Sequence, residues 1–120
     1  MRLHTLLVLS LSLAAVSSLP AQIAKQSKTR HNLNVDSRLL HNNTNMPKVV
    51  FTHIVTIRNA EWTRLFFENT HLPAGSKLHI TGLADNWTQF LNADSLVDYF
   101  HASCFFRGGE IKLELVAGPK

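Results

Sequence analysis

The residue types that hydrolytic enzymes use are present in this 120-residue chain, but their spacing matches no nucleophile motif. Ser95 follows an aspartate and Ser103 precedes a cysteine, and no Gly-x-Ser-x-Gly elbow surrounds either serine. A catalytic triad is defined by geometry and not by order along the chain, so this absence lowers the expectation of catalysis without removing it. We therefore predict a protein that is not an enzyme, with a small hydrolase as the least favoured alternative.

The single cysteine, Cys104, has no partner for a disulfide within the chain. It lies in Ala-Ser-Cys-Phe-Phe, between small and aromatic residues. A reactive cysteine needs a lowered pKa and a partly exposed setting, whereas an unreactive one packs like a small apolar residue. The sequence favours the second arrangement, and we predict a buried, inert thiol.

The seven histidines are scattered along the chain and match no metal-binding spacing. The sequence contains no His-x-His, His-Glu-x-x-His or Cys-x-x-Cys motif. We therefore expect surface or half-buried histidines, and we predict no metal and no other cofactor.

Three aromatic residues, Trp62, Trp87 and Tyr99, could form a platform on which sugar rings stack. Trp62 lies in the apolar segment Trp-Thr-Arg-Leu-Phe-Phe, which indicates a place in the core, whereas Trp87 follows a predicted turn and is better placed for exposure. Trp87 and Tyr99 are therefore the candidate ligand-binding residues. A carbohydrate-binding module is the main alternative function.

Residues 1–21 have the pattern of a secretory signal peptide. Arg2 and His4 precede an apolar run from Leu6 to Val16, and small residues follow up to Ala21. The run is shorter than the roughly 20 apolar residues that a membrane-spanning helix needs. Ala21 and Ser18 are both suitable last residues of the signal, and we predict cleavage after Ala21, with an uncleaved N-terminal anchor as the less favoured alternative. We further predict a secreted protein and no stable membrane span once the signal is removed.

Residues 22–46 are polar and rich in asparagine, and we predict a flexible linker there. This segment carries a net charge of +3, whereas residues 47–120 contain seven basic and seven acidic residues. A nucleic-acid-binding protein concentrates lysine and arginine on a folded surface. The basic character of this chain belongs largely to the linker, so we predict no nucleic-acid partner.

Residues 47–120 alternate short β-rich segments with turns, which predicts one β-domain. Strands are predicted at residues 48–57, 61–68, 77–83, 87–91, 103–106 and 110–116. Asn92 or Asp94 is expected to cap a short helical turn, and Gly108-Gly109 is expected to centre a tight hairpin. Six short strands predict an all-β fold, a small antiparallel β-sandwich or jelly-roll-like domain.

The apolar positions of these segments give the expected core of the domain. Its members are Trp62, Leu65, Phe67, Leu78, Ile80, Leu96, Phe106, Ile111 and Leu113. The chain ends four residues after the last predicted strand, so we expect either a longer domain or a partner that covers the sheet edge.

Residues 56–119 resemble a domain found N-terminal to the catalytic part of some secreted bacterial trypsin-like serine peptidases and related surface proteins. The resemblance rests on a W-x-R-L-x-F element, a Leu-Pro-x-Gly-Ser turn, an Ile-Thr strand with its turn, a Gln-x-Leu-Asn-Ala-x-Ser-Leu run, and an aromatic-Phe-x-Gly element. The matching residues are Trp62, Arg64, Leu65, Phe67, Leu72, Pro73, Gly75, Ser76, Ile80, Thr81, Leu83, Asp85, Gln89, Leu91, Asn92, Ala93, Ser95, Leu96, Phe105, Phe106 and Gly108.

The resemblance implies a secreted, non-catalytic β-sandwich that acts as an accessory or interaction module, with an extracellular peptidase or a cell-surface component as its partner. This sequence departs from the family pattern at Gly82, where a serine is usual, and at Phe100 and His101, which replace a Trp-Gln-like pair. No Gly-Asp-Ser-Gly motif occurs, and the chain ends where the family continues into the peptidase. The peptidase activity is therefore not implied for this chain.

Overall fold

The computed structural model describes residues 27–120, so the predicted signal peptide and residues 22–26 of the predicted linker lie outside the described residues. The fold belongs to Leu33–Lys120, one of the two units into which the chain divides. Residues 27–32 are exposed and lie in no helix or strand. The elements are β1 (Lys48–Thr56), β2 (Trp62–Thr63), β3 (Lys77–Gly82), β4 (Thr88–Leu91), α1 (Ala93–Asp98), β5 (Phe106–Arg107) and β6 (Glu110–Ala117).

Four strands form the larger sheet, in the order β1-β6-β3-β4 with every neighbouring pair antiparallel. Side chains alternate between the two faces of a strand, so residues in register share a face. Val55 is opposite Ile111 and Leu78 is opposite Leu91, and all four are buried. One face of this sheet therefore lies against the core.

The second sheet is a short antiparallel pair formed by β2 and β5. Thr63 is opposite Phe106, whose side chain is only 1% exposed. The two segments approach again at an isolated bridge between Phe66 and Ala102. Both sheets contribute to one apolar cluster, whose buried members are Val55, Leu65, Leu72, Leu78, Ile80, Leu91, Leu96, Phe106 and Ile111.

Helix α1 is held at its start by a capping box. The Asn92 side chain accepts a hydrogen bond from the Ser95 backbone N–H at 2.9 Å, and the Ser95 hydroxyl accepts one from the Asn92 N–H at 2.8 Å. These bonds satisfy backbone donors that a helix start leaves unpaired. Leu96 is the buried residue of the helix, and it packs the helix onto the cluster.

The prediction of a small, antiparallel, all-β domain is confirmed. The predicted hairpin between the third and fourth strands is β3–β4, where the Asp85 carboxylate accepts the Trp87 backbone N–H and Asn86 adopts a positive φ of 59°. The predicted Gly108-Gly109 hairpin is wrong, because β5 and β6 pair in different sheets. The two glycines instead lie where the chain crosses from one sheet to the other.

The predicted strand at residues 61–68 forms regular pairing only at Trp62–Thr63. Two side chains interrupt the ladder beyond that point. The Ser103 hydroxyl accepts the Leu65 backbone N–H at 2.9 Å, and the Cys104 N–H donates to the Gln89 side-chain carbonyl at 2.8 Å. Because these two backbone N–H groups donate to side-chain oxygens and not to carbonyl groups of a neighbouring strand, residues 64–68 do not continue the regular ladder of β2 and remain an irregular ribbon.

Trp62 is not a core residue, and that expectation is wrong. Its side chain is 53% exposed, because it lies on the opposite face of the ribbon from the buried Leu65. Six other residues of the expected core are buried, namely Leu65, Leu78, Ile80, Leu96, Phe106 and Ile111. Phe67 and Leu113 are partly buried and pack against the cluster.

The end of the predicted linker contacts the end of β6. The Asn42 side-chain amide donates to the carbonyl groups of Ala117 and Gly118, at 3.2 and 3.0 Å. The Lys120 N–H donates to the Thr44 carbonyl at 3.0 Å. These bonds fix residues 42–44 beside the last strand.

Candidate binding surface

The segments 61–67 and 101–107 form an antiparallel ribbon with one face on the core and one toward solvent. Backbone hydrogen bonds between Leu65 and Ser103 and between Phe67 and His101 extend the pairing of β2 with β5. Because side chains alternate, the residues next to the buried ones face outward. We call this outer surface the aromatic–arginine face; it consists of Trp62, Arg64, Phe66, Phe105 and Arg107.

The aromatic members of this face are exposed although their side chains are large and mostly apolar. Trp62 is 53% exposed, Phe66 is 73% exposed and Phe105 is 50% exposed. Scattered exposed apolar residues are normal on a protein surface, whereas a contiguous group marks an interaction site. Here three such residues share one face of a single ribbon.

Arg64 is held between two of these rings. Its guanidinium carbon lies 5.4 Å from the centre of the Phe66 ring and 5.2 Å from that of Phe105, within the range of cation–π attraction. Its Nε donates to the Ser103 carbonyl at 2.8 Å. The backbone and both rings therefore fix the plane of the guanidinium group.

The two terminal nitrogens of Arg64 make no hydrogen bond or ion pair among residues 27–120. Every buried side-chain nitrogen or oxygen among the described residues has a hydrogen-bond partner. Since the terminal nitrogens of Arg64 have none, they are not buried and contact solvent. Arg107 is exposed and likewise forms no ion pair within the described part of the chain. The face thus offers two guanidinium groups without an acidic partner.

An open groove of about 490 Å³ adjoins this face beside Trp62 and Arg107. Its other lining residues are Ala60, Glu61, Ala84 and Gly108. Gly108 is bonded on both sides, since its N–H donates to the Glu61 carbonyl and its carbonyl accepts the Thr63 hydroxyl, both at 2.7 Å. The groove is open to solvent and is not an enclosed pocket.

The predicted ligand residues Trp87 and Tyr99 are both exposed, at 64% and 49%. Trp87 lies at the β3–β4 turn, and Tyr99 is the C-terminal cap of α1. Among the ring–ring contacts of residues 27–120, none joins these two side chains. The structure exposes each residue but does not assemble them into a stacked pair.

The serines considered as nucleophiles have structural partners. Ser95 belongs to the capping box of α1. Ser103 is fully buried; its hydroxyl accepts the Leu65 N–H and donates to the Cys104 carbonyl at 2.7 Å. Both hydroxyl groups are therefore engaged in holding the backbone.

Cys104 is half-buried, and burial raises the pKa of its thiol above the ordinary 9.0. A backbone hydrogen bond, a hydrogen bond to the Trp87 side chain and the charge of Arg64 act in the opposite direction without cancelling this effect. The thiol is the nucleophilic group only after it loses its proton. A raised pKa keeps the fraction of thiolate low at neutral pH.

The described histidines are not gathered into a metal site: no group of three or more metal-binding side chains occurs within residues 27–120. His79 instead stacks on Phe90 at 4.3 Å, and its Nδ1 lies 3.5 Å from the Glu114 carboxylate. Lys112 lies 3.3 Å from the same carboxylate. On the same surface, the Lys77 ammonium lies 4.5 Å from the centre of the Phe90 ring.

Sequence reasoning placed Trp62, Arg64 and Phe66 on one face of a strand but assigned the tryptophan to the core. The signal that could have corrected this assignment is Arg64 itself, because an arginine without an acidic neighbour on the same face indicates contact with water. Phe105 and Arg107 join the face only through the ribbon pairing, which the sequence does not specify.

No helix within residues 27–120 has the length and apolar character needed to cross a membrane. No family model, no curated protein and no solved structure matches this chain. The resemblance to the accessory domains of secreted peptidases therefore remains a hypothesis.

Proposed function

We propose that this domain is a non-catalytic interaction module that binds its partner through the aromatic–arginine face. The observation that carries the proposal is the grouping of three exposed aromatic rings and two arginines without acidic partners on one ribbon. Aromatic and arginine side chains are the types enriched at the energetic centres of protein interfaces. The ribbon is backed by the core and Arg64 is hydrogen-bonded to the Ser103 carbonyl, which lowers the conformational freedom that this part of the face would lose on binding.

A binding role also agrees with how the reactive side chains are used. Ser95 and Ser103 hold the backbone, and the Cys104 thiol has a raised pKa. The sequence pattern of residues 1–21 supports action outside the cell. The resemblance described above supports an extracellular peptidase or a cell-surface component as the partner.

The proposal can be tested with a library of random peptides displayed on phage and selected on the purified chain. We expect clones whose binding is lost on Phe66→Ser, which removes a ring that is 73% exposed. The matched control is Phe90→Ser, which removes a ring that is 53% exposed from the larger sheet. Selected clones that respond to Phe90→Ser and not to Phe66→Ser, or no specific clones at all, would contradict the proposal.

The second candidate function is carbohydrate binding, which the 64% exposure of Trp87 favours. An exposed indole can stack on a sugar ring, and its fluorescence would change on binding. Titration with soluble polysaccharides should then change the tryptophan emission of the parent, and Trp87→Ala should abolish the change. Emission that stays constant for the parent would remove the support for this function.

A further inference from the structure

We propose that the aromatic–arginine face recognises an acidic polypeptide segment of the partner, in which carboxylate side chains lie beside apolar ones. This inference rests on the proposed function and specifies the chemistry of the partner.

The two arginines of the face give it a positive charge that an acidic partner would complement. Arg64 and Arg107 have no ion-pair partner among residues 27–120, and Glu61, which lines the adjoining groove, is not within ion-pair distance of either. On the larger sheet, Lys112 and His79 lie beside Glu114, whereas Lys77 lies over the Phe90 ring. Guanidinium groups bind carboxylates through two parallel hydrogen bonds, so an acidic partner supplies the missing acceptors.

Arg64 is positioned before any partner arrives. The two phenylalanine rings and the bond from Nε to the Ser103 carbonyl restrict the side chain, while its terminal nitrogens face solvent. A restricted arginine loses less rotamer freedom on binding than a mobile one. The approach of a carboxylate at this point is therefore favoured over approach to an ordinary surface arginine such as Arg58.

The rings favour a polypeptide over an acidic polysaccharide. Phe66 and Phe105 carry no polar atom, so they offer no partner to the hydroxyl groups of a sugar. They do offer apolar area to leucine or phenylalanine side chains. Trp62, opposite Arg107 in the ribbon, extends this apolar area toward the groove.

The spacing of the arginines matches an extended segment. Arg107 of β5 is opposite Trp62 of β2, and Arg64 lies two residues beyond Trp62 on that neighbouring segment. Diagonal neighbours of this kind on one face of an antiparallel pair are roughly 7–8 Å apart. Alternate positions of an extended peptide are separated by a similar distance, roughly 7 Å. Two carboxylates at alternate positions of an extended peptide would therefore meet the two guanidinium groups.

The test uses two synthetic peptides of equal length, one repeating Glu-Ser-Glu-Ser-Phe-Ser, so that glutamate and phenylalanine share one face of the extended chain, and one with each glutamate replaced by glutamine. Fluorescence anisotropy gives the dissociation constant of each peptide for the full chain. We expect the glutamine peptide to bind about tenfold more weakly, because hydrogen bonds to charged groups contribute more than neutral ones. Added salt should weaken only the glutamate peptide, since salt screens exposed charges.

The variant Arg107→Gln should weaken the glutamate peptide by a similar factor, and it removes no hydrogen bond of the described fold. Arg64→Lys, which keeps the charge but not the planar group, should weaken it as well. Lys77→Gln is the control, because it removes one positive charge from the larger sheet. The affinity of the Lys77→Gln variant for the glutamate peptide should equal that of the parent.

Equal affinity of the two peptides would overturn the acidic partner while leaving the interaction module intact. Binding of an acidic polysaccharide or of anionic lipid vesicles with the same dependence on Arg107, and of neither peptide, would overturn the polypeptide class. Failure of the phage selection at Phe66 is the separate result that removes the proposed function itself.

Discussion

At the scale of the residue, Ser103, which the sequence offered as a candidate nucleophile, has a structural role. The Ser103 hydroxyl fills an interruption in the ribbon, where it accepts the Leu65 backbone N–H at 2.9 Å and donates to the Cys104 carbonyl. A buried backbone donor must be paired, and a regular ladder does not reach Leu65. The presence of a buried serine at position 103 is therefore explained by the hydrogen bond that it accepts from the Leu65 backbone N–H.

Replacing Ser103 by alanine should destabilise the domain by about 1–3 kcal/mol, because the buried Leu65 N–H would lose its acceptor. The measurement is the free energy of unfolding in urea. Thr88→Ala is the control, since that threonine is exposed and its hydroxyl makes no hydrogen bond among the described residues. Equal stability of the two variants would mean that another group or water replaces the hydroxyl.

At the scale of the element, the crossing from β5 to β6 decides how the two sheets join. The Ile57 N–H donates to the Gly109 carbonyl at 2.8 Å, so the end of β1 lies directly against this turn. A Cβ atom on Gly109 would lie 2.9 Å from the Ile57 carbonyl carbon and closer still to its oxygen. Glycine is needed here for close backbone approach and not for a hairpin.

Gly109→Ala should therefore destabilise the domain more than Gly75→Ala. Gly75 has a positive φ of 80° but only ordinary contacts around its missing Cβ, so alanine there costs about 1–2 kcal/mol of backbone strain. The clash at Gly109 must move backbone, for which overpacking costs of about 1–3 kcal/mol or more are typical. Thermal or urea unfolding of both variants makes the comparison, and the reverse order would contradict the close approach.

At the scale of the whole molecule, the core separates the residues that hold the fold from those that are free to bind. Phe106 is 1% exposed and contributes to the shared apolar cluster, whereas Trp62 is 53% exposed on the other side of the same ribbon. The same pair of segments thus supports the core and presents the aromatic–arginine face. Substitutions on the two sides should have different consequences.

Phe106→Ala should destabilise the domain by about 3–5 kcal/mol. Because small domains have only about 5–15 kcal/mol in total, much of the protein should unfold or aggregate. Trp62→Ala should cost no more than about 1 kcal/mol, because about half of its side chain is already in water. The measurement is the urea midpoint of each variant against the parent. A large loss of stability for Trp62→Ala would contradict the exposed position of that residue.

The sequence by itself determined the all-β class, the β3–β4 hairpin and the cap of α1, because alternation, turn residues and capping residues act over a few neighbours. It also predicted most of the buried core residues, among them Leu78, Ile80 and Ile111. Only the tertiary structure decided that β5 pairs with β2 while β6 enters the larger sheet, since that choice depends on contacts between distant segments. The same pairing turned Trp62 outward and brought Phe105 beside Arg64, so the candidate surface exists only once the two segments have met.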